Sequence, residues 1–148
     1  MKRRKFPLES VLNYRRNIEE QAITELKQVQ TVLEREERRL NLLESVWRKS
    51  AEDLKKKQST VSDPREILLY HHFLRQMALE IETQQQRMAE VDQEYNDRRE
   101  ILLDAAKGKK IIEKLKEKQE ELMKTQDKKK DRKAMDESAA GGYARDGS

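Results

Sequence analysis

Apolar residues recur at seven-residue intervals through the first part of this chain: Leu12, Leu26, Leu33, Leu40, Trp47, Leu54 and Val61, with Glu19 as the one exception. A repeat of seven matches two turns of a helix wound at about 3.5 residues per turn, so it holds one face toward a partner helix along the whole run. With Leu12 at heptad position a, the d series reads Leu8, Arg15, Ala22, Val29, Glu36, Leu43, Ser50 and Lys57, which is weaker. Val11, Ile18, Val32 and Val46 fall at g and widen the apolar stripe on one side. A second run starts after Pro64, with a positions Ile67, Leu74, Ile81, Met88, Tyr95 and Leu102 and d positions Tyr70, Met77, Gln84, Val91, Arg98 and Ala105. Apart from Glu19 and Val61, the a residues of both runs are the expected coiled-coil seam. Past Gly108 the pattern suggests a change of phase, with Ile112, Leu115, Gln119 and Leu122 continuing the stripe about three residues out of register.

Between the two runs lies Gln58-Ser-Thr-Val-Ser-Asp-Pro-Arg-Glu66. Asp63 can accept from the first free amides of a helix, and Pro64 suits the first helical position because it has no N–H to leave unpaired. Glu66 stands three residues after Asp63, the spacing of a capping box, and Ser59, Thr60 and Ser62 favour a turn before it. So short a break folds the second helix back on the first, with residue i facing roughly residue 124 minus i if both helices rise equally. The fold class expected is all-α: a long antiparallel two-helix coiled-coil hairpin with an overhanging second helix. Its parts are a basic arm at 1–6, a first helix at 7–60, a tip at 61–63, a second helix at 64–137 and a flexible tail at 138–148.

Composition supports this and excludes several classes of function. Charged residues make up 42% of the 148 and hydrophobic ones 34%, too little apolar material for a thick core. Ala, Glu, Lys, Leu and Arg together exceed half the chain, as in long helices. The absence of cysteine excludes disulfides and thiolate metal sites, and no apolar run reaches the ~18 residues of a membrane span. No signal peptide is visible, so a cytoplasmic location is expected. Adjacent His71 and His72 point about 100° apart on a helix and do not form a metal pair. No catalytic residue, metal or cofactor is expected, and a thin two-helix chain offers little concave surface for catalysis.

Two surfaces exceed what a seam requires. Ile67 to Leu79 is apolar around more than one face: Leu68 and Leu79 share a side away from a and d, and Phe73 flanks the seam. Such a patch suits a protein partner, unless the first helix or a second copy covers it. The other surface is the open end. Met1–Lys5 carries +4 and residues 107–133 carry 12 bases against 6 acids, while the whole chain is only +4. Residues after about 118 have no opposite helix by the same equal-rise estimate. A nucleic-acid-binding coiled coil and a generic homodimeric tether are the alternatives from other classes. Against the first, the bases alternate with acids and lack interleaved aromatics, so no nucleic acid is expected.

Phe6-Pro-Leu-Glu-Ser-Val-Leu-Asn-Tyr-Arg15 resembles the opening of the FliJ family, soluble coiled-coil components of the bacterial flagellar type III export apparatus. Tyr70-His-His-Phe73 resembles the family's Tyr-x-x-Phe element, and Asp131 to Ala139 resembles its charged ending. Pro7 within the opening and the glycine-rich C-terminus depart from the pattern. The resemblance implies a two-helix chain similar to the central stalk of rotary ATPases. It would bind the hexameric flagellar export ATPase and promote its assembly, contact the cytoplasmic domain of the export gate, and cycle export chaperones. It would sit peripherally at the inner membrane without inserting. On that basis the candidate gate contact is Leu68, Tyr70, Phe73, Met77 and Leu79. The candidate ATPase contact is Leu122, Met123, Lys128, Lys129, Lys130 and Arg132.

Overall fold

The computed structural model describes residues 6–146 and contains two α-helices, α1 (Glu9–Gln58) and α2 (Pro64–Asp146), joined by a short turn. The basic arm proposed at 1–6 lies, apart from Phe6, outside the described residues. The all-α two-helix hairpin expected from the heptads is the fold observed.

The helix ends follow from local chemistry. Pro7 and Leu8 form a turn ahead of α1, in which the Glu9 N–H donates to the Phe6 carbonyl (3.1 Å) and the Leu12 N–H to that of Leu8 (2.8 Å). At the other end of α1, hydroxyls supply the donors that the last carbonyls need. Ser59 Oγ donates to the Lys56 carbonyl (2.7 Å) and Ser62 Oγ to the Lys57 carbonyl (2.8 Å). Asp63 caps α2: its Oδ1 accepts from the Arg65 N–H at 3.0 Å. The reciprocal half of the expected capping box is replaced. Glu66 pairs instead with the Lys57 ammonium across the turn, and that ammonium also lies 5.1 Å from the Tyr70 ring centre. Glu66 is the largest reason that the Lys57 amine titrates above its ordinary value, and Tyr70 contributes.

α2 continues to Asp146, although the tail was expected to lose helix from 138. No proline follows Pro64, and glycine weakens a helix by about 1 kcal/mol relative to alanine without forbidding it. Among the described residues no glycine has a positive φ.

The chain divides into two compact units, Glu20–Leu103 and the pair Met1–Glu19 with Asp104–Ser148. In the first, the buried residues are Ala22, Val29, Glu36, Leu54, Met77, Gln84 and Val91, of which only Leu54 is an a residue. The d series, weaker by composition, is therefore the better buried. Leu26, Leu33, Leu40, Ile67, Leu74, Ile81, Met88, Tyr95 and Leu102 are half-buried. Ala22, Val29 and Val91 are short d side chains at the middle of the contact, whereas the longer a side chains are partly exposed at its flank. Trp47, another a residue, is 38% exposed, and Val61 is in the turn and fully exposed.

The d series was weak because it is polar where the two helices meet. Gln84 Nε2 donates to both the Glu36 carboxylate (Oε2, 2.6 Å) and the Glu36 backbone carbonyl (3.0 Å), and Arg87 Nε lies 3.3 Å from Glu36 Oε1. Arg98 Nη1 donates to Glu25 Oε2 at 2.7 Å. Sliding α2 by one heptad would set Met77 or Val91 against Glu36 and leave a buried carboxylate unpaired, so the polar layer fixes register.

The hydrogen bond from Gln84, more than the Arg87 guanidinium, holds the Glu36 carboxyl below its ordinary 4.5, while burial opposes the shift. The unfolded chain then binds the proton more readily than the folded one. The contribution of Glu36 to stability is present above 4.5 and lost as pH falls through its lower native value. Glu36→Gln should keep the Gln84 contact but flatten the acid limb of stability against pH. Urea unfolding of both proteins from neutral to acidic pH measures this.

The second unit corrects the phase change expected at Gly108. Residues facing α1 continue in the same heptad: Ala105 is buried, and Lys109, Ile112, Lys116, Gln119 and Met123 are half-buried. Lysine is tolerated at a because an acid waits on α1. Lys109 Nζ donates to Glu19 Oε1 at 2.8 Å, and Lys116 Nζ lies 3.2 Å from Glu9 Oε2. The bond to Glu19 is the largest cause that raises the Lys109 amine above its ordinary value. Glu19, the exception in the first a series, is thus matched to an exception in the second. Gly108 leaves room for an arginine: a Cβ there would sit 3.0 Å from Arg15 Nη1.

Candidate functional site

Just past the turn, α2 leaves apolar side chains uncovered within the Glu20–Leu103 unit. Leu68, Phe73 and Leu79 are exposed, Leu68 by 70%. Leu68 and Leu69 line one shallow hollow with His71, His72 and Arg75. Leu79 lines another with Arg39, Leu43, Gln76, Glu80, Thr83 and Gln84. Sequence reasoning missed Leu69, which is exposed and lies outside the a and d series beside Leu68; that position was the available signal.

Two of the five candidate gate residues fall elsewhere. Met77 is 8% exposed and belongs to the core, because it occupies d, so it offers no surface. Tyr70 is half-buried, with the Lys57 ammonium over its ring. His71 Nε2 lies 3.5 Å from Gln58 Nε2.

The second surface is the end of α2. α1 contributes only Glu9–Glu19 of its length to the unit that holds Asp104–Ser148. Every residue from Lys124 to Gly141 is exposed, including Lys128, Lys129, Lys130 and Arg132. Leu122 is exposed by 62%, whereas Met123, at an a position, is half-buried. A helix with no opposite strand gains nothing from tertiary packing and is marginal in water.

No helix among the described residues is long and apolar enough to cross a membrane. Among the described residues, the Glu20–Leu103 unit pairs the two helices and carries an apolar patch near the turn, and the other unit includes a basic stretch of α2 that is exposed throughout. The sequence model of the family described as Flagellar FliJ protein matches residues 4–148. The chain belongs to the FliJ family. Membership makes it a component of flagellar protein export and flagellum biogenesis. No curated protein and no solved structure matches the chain. The family match extends over both surfaces of this FliJ-family chain, so neither is an appendage to the family's sequence.

Proposed function

We propose that this chain is a non-enzymatic adaptor of flagellar export, working peripherally on the cytoplasmic side of the inner membrane. It binds the export ATPase hexamer and promotes its assembly through the unpaired part of α2, with Leu122, Met123, Lys128–Lys130 and Arg132 as the contact. It reaches the cytoplasmic domain of the export gate through Leu68, Leu69, Phe73 and Leu79, and it escorts export chaperones. The observation that carries this reading is the run from Lys124 to Gly141, helical and exposed throughout in a chain whose family belongs to flagellar export. A basic helix without an intramolecular partner is suited to a surface that orders it on binding, and its charge speeds encounter with acids there.

The gate contact is tested by changing Leu69, Phe73 and Leu79 together to alanine. None is an a or d residue, so helix content by circular dichroism should stay near wild type. Binding to the gate's cytoplasmic domain should weaken by about tenfold or more. Unfolding of the variant would assign these residues to packing, and unchanged binding would remove the patch from the contact.

A further inference from the structure

The Met1–Glu19 and Asp104–Ser148 unit carries a second apolar line that faces neither the seam nor the overhang. Ile111 is 61% and Leu115 43% exposed, and on the same heptad these are c and g positions. In an antiparallel pair the g positions of the two helices flank the same side of the seam, with c next to them. On α1 that side holds Val11 and Ile18, both half-buried, and Tyr14, which is 63% exposed. The Arg15 guanidinium over Gly108 puts this turn of α1 beside residues 108–111. A shallow apolar trough therefore runs between the helices.

Its rims differ in charge. On α1 the next positions out are Ser10 and Asn17. On α2 they are Lys107 and Lys114, with Lys118 at the c position one heptad after Ile111, and from 107 to 118 the c, f and g positions contain no acid; Asp104 and Glu121 stand at the two ends. Neither these three lysines nor Arg15 has an ion-pair partner among the described residues, whereas the seam lysines Lys109 and Lys116 do.

We propose that this trough is a docking site for an acidic amphipathic helix, a third strand laid against the pair with apolar residues on Tyr14, Ile111 and Leu115 and carboxylates toward Arg15 and the lysine rim. The 107–118 stretch is about three turns long, enough for a short helix. Arginine suits the anchor because its planar fork meets a carboxylate with two parallel bonds, and the missing Cβ at Gly108 lets the guanidinium lie against α2 beside the trough. The apolar line is narrow, a few tens of degrees of arc, which fits a helix better than the broad face that lies in a bilayer. A second copy of this face would bring lysines without the acids to meet them. The site is separate from the ATPase contact, which concerns α2 from Leu122 onward, and it stands or falls independently of that reading.

The test uses the full chain and a fluorescein-labelled peptide of about three to four helical turns, with leucines at alternating three- and four-residue spacing and glutamates flanking them. The acidic peptide should bind and a version with lysines for glutamates should not. Arg15→Gln, and separately Ile111→Ser with Leu115→Ser, should each weaken binding by about tenfold or more while helicity and ATPase stimulation stay unchanged. Equal binding of the two peptides, no binding of the acidic one, or indifference to these substitutions would overturn the proposal. So would co-sedimentation of the chain with anionic phosphatidylglycerol vesicles that the Ile111 and Leu115 changes abolish, or a dimer that the same changes dissociate.

Discussion

Val29→Asp is expected to unfold the Glu20–Leu103 unit. Val29 is 9% exposed at a d position, in a contact only one layer thick. A carboxylate placed there has no second layer to retreat into, and Arg98 on α2 is already paired with Glu25. Burying an ion without a partner costs several kcal/mol even after relaxation, about 3 kcal/mol or more here, which is a large part of a small domain's stability. Leu40→Asp should do less harm, because Leu40 is half-buried and its replacement can turn to water. Urea titrations followed by circular dichroism compare them. A Val29→Asp protein as stable as wild type would mean that the d residues do not carry the pairing.

Removal of residues 124–148 is expected to abolish stimulation of the export ATPase while leaving the helix pair folded. The removed segment is exposed from Lys124 to Gly141, so its loss withdraws no buried surface there. The seam contacts Glu19–Lys109 and Glu9–Lys116 remain. A milder variant separates charge from chain length. Lys128, Lys129 and Lys130 changed together to glutamate should slow association with the ATPase more than they speed dissociation, and raised salt should mimic them. Stimulation by the truncated chain equal to that of the whole would move the contact into the paired region.

Much of this was legible in the sequence where one residue type has one use. Asp63-Pro64 marked the start of α2 at the right residue, and the heptads announced two long helices. What escaped was the matching of exceptions. Glu19, Glu36, Gln84 and Lys109 each break an apolar series, and read one helix at a time they look like defects. Only the pairing of helices shows Glu36 meeting Gln84 and Glu19 meeting Lys109. The same oversight created the phase change at Gly108: Leu115 and Leu122 attracted the stripe, although Lys109 and Lys116 keep the register with acids opposite. The apolar patch was visible in Leu68 to Leu79, but composition could not say that Met77 turns inward and Leu69 outward.

Hydrogen exchange of the full chain, alone and with the export ATPase, tests the proposed contact most directly. In the free protein, amides of residues 124–141 should exchange fast, as in any helix end without tertiary support, and those of the buried Val29 and Val91 layers slowly. Adding the ATPase should protect 124–141 and leave the paired region near the turn unchanged. Protection confined to residues 68–79, or none anywhere, would contradict the assignment of the unpaired helix as the ATPase contact.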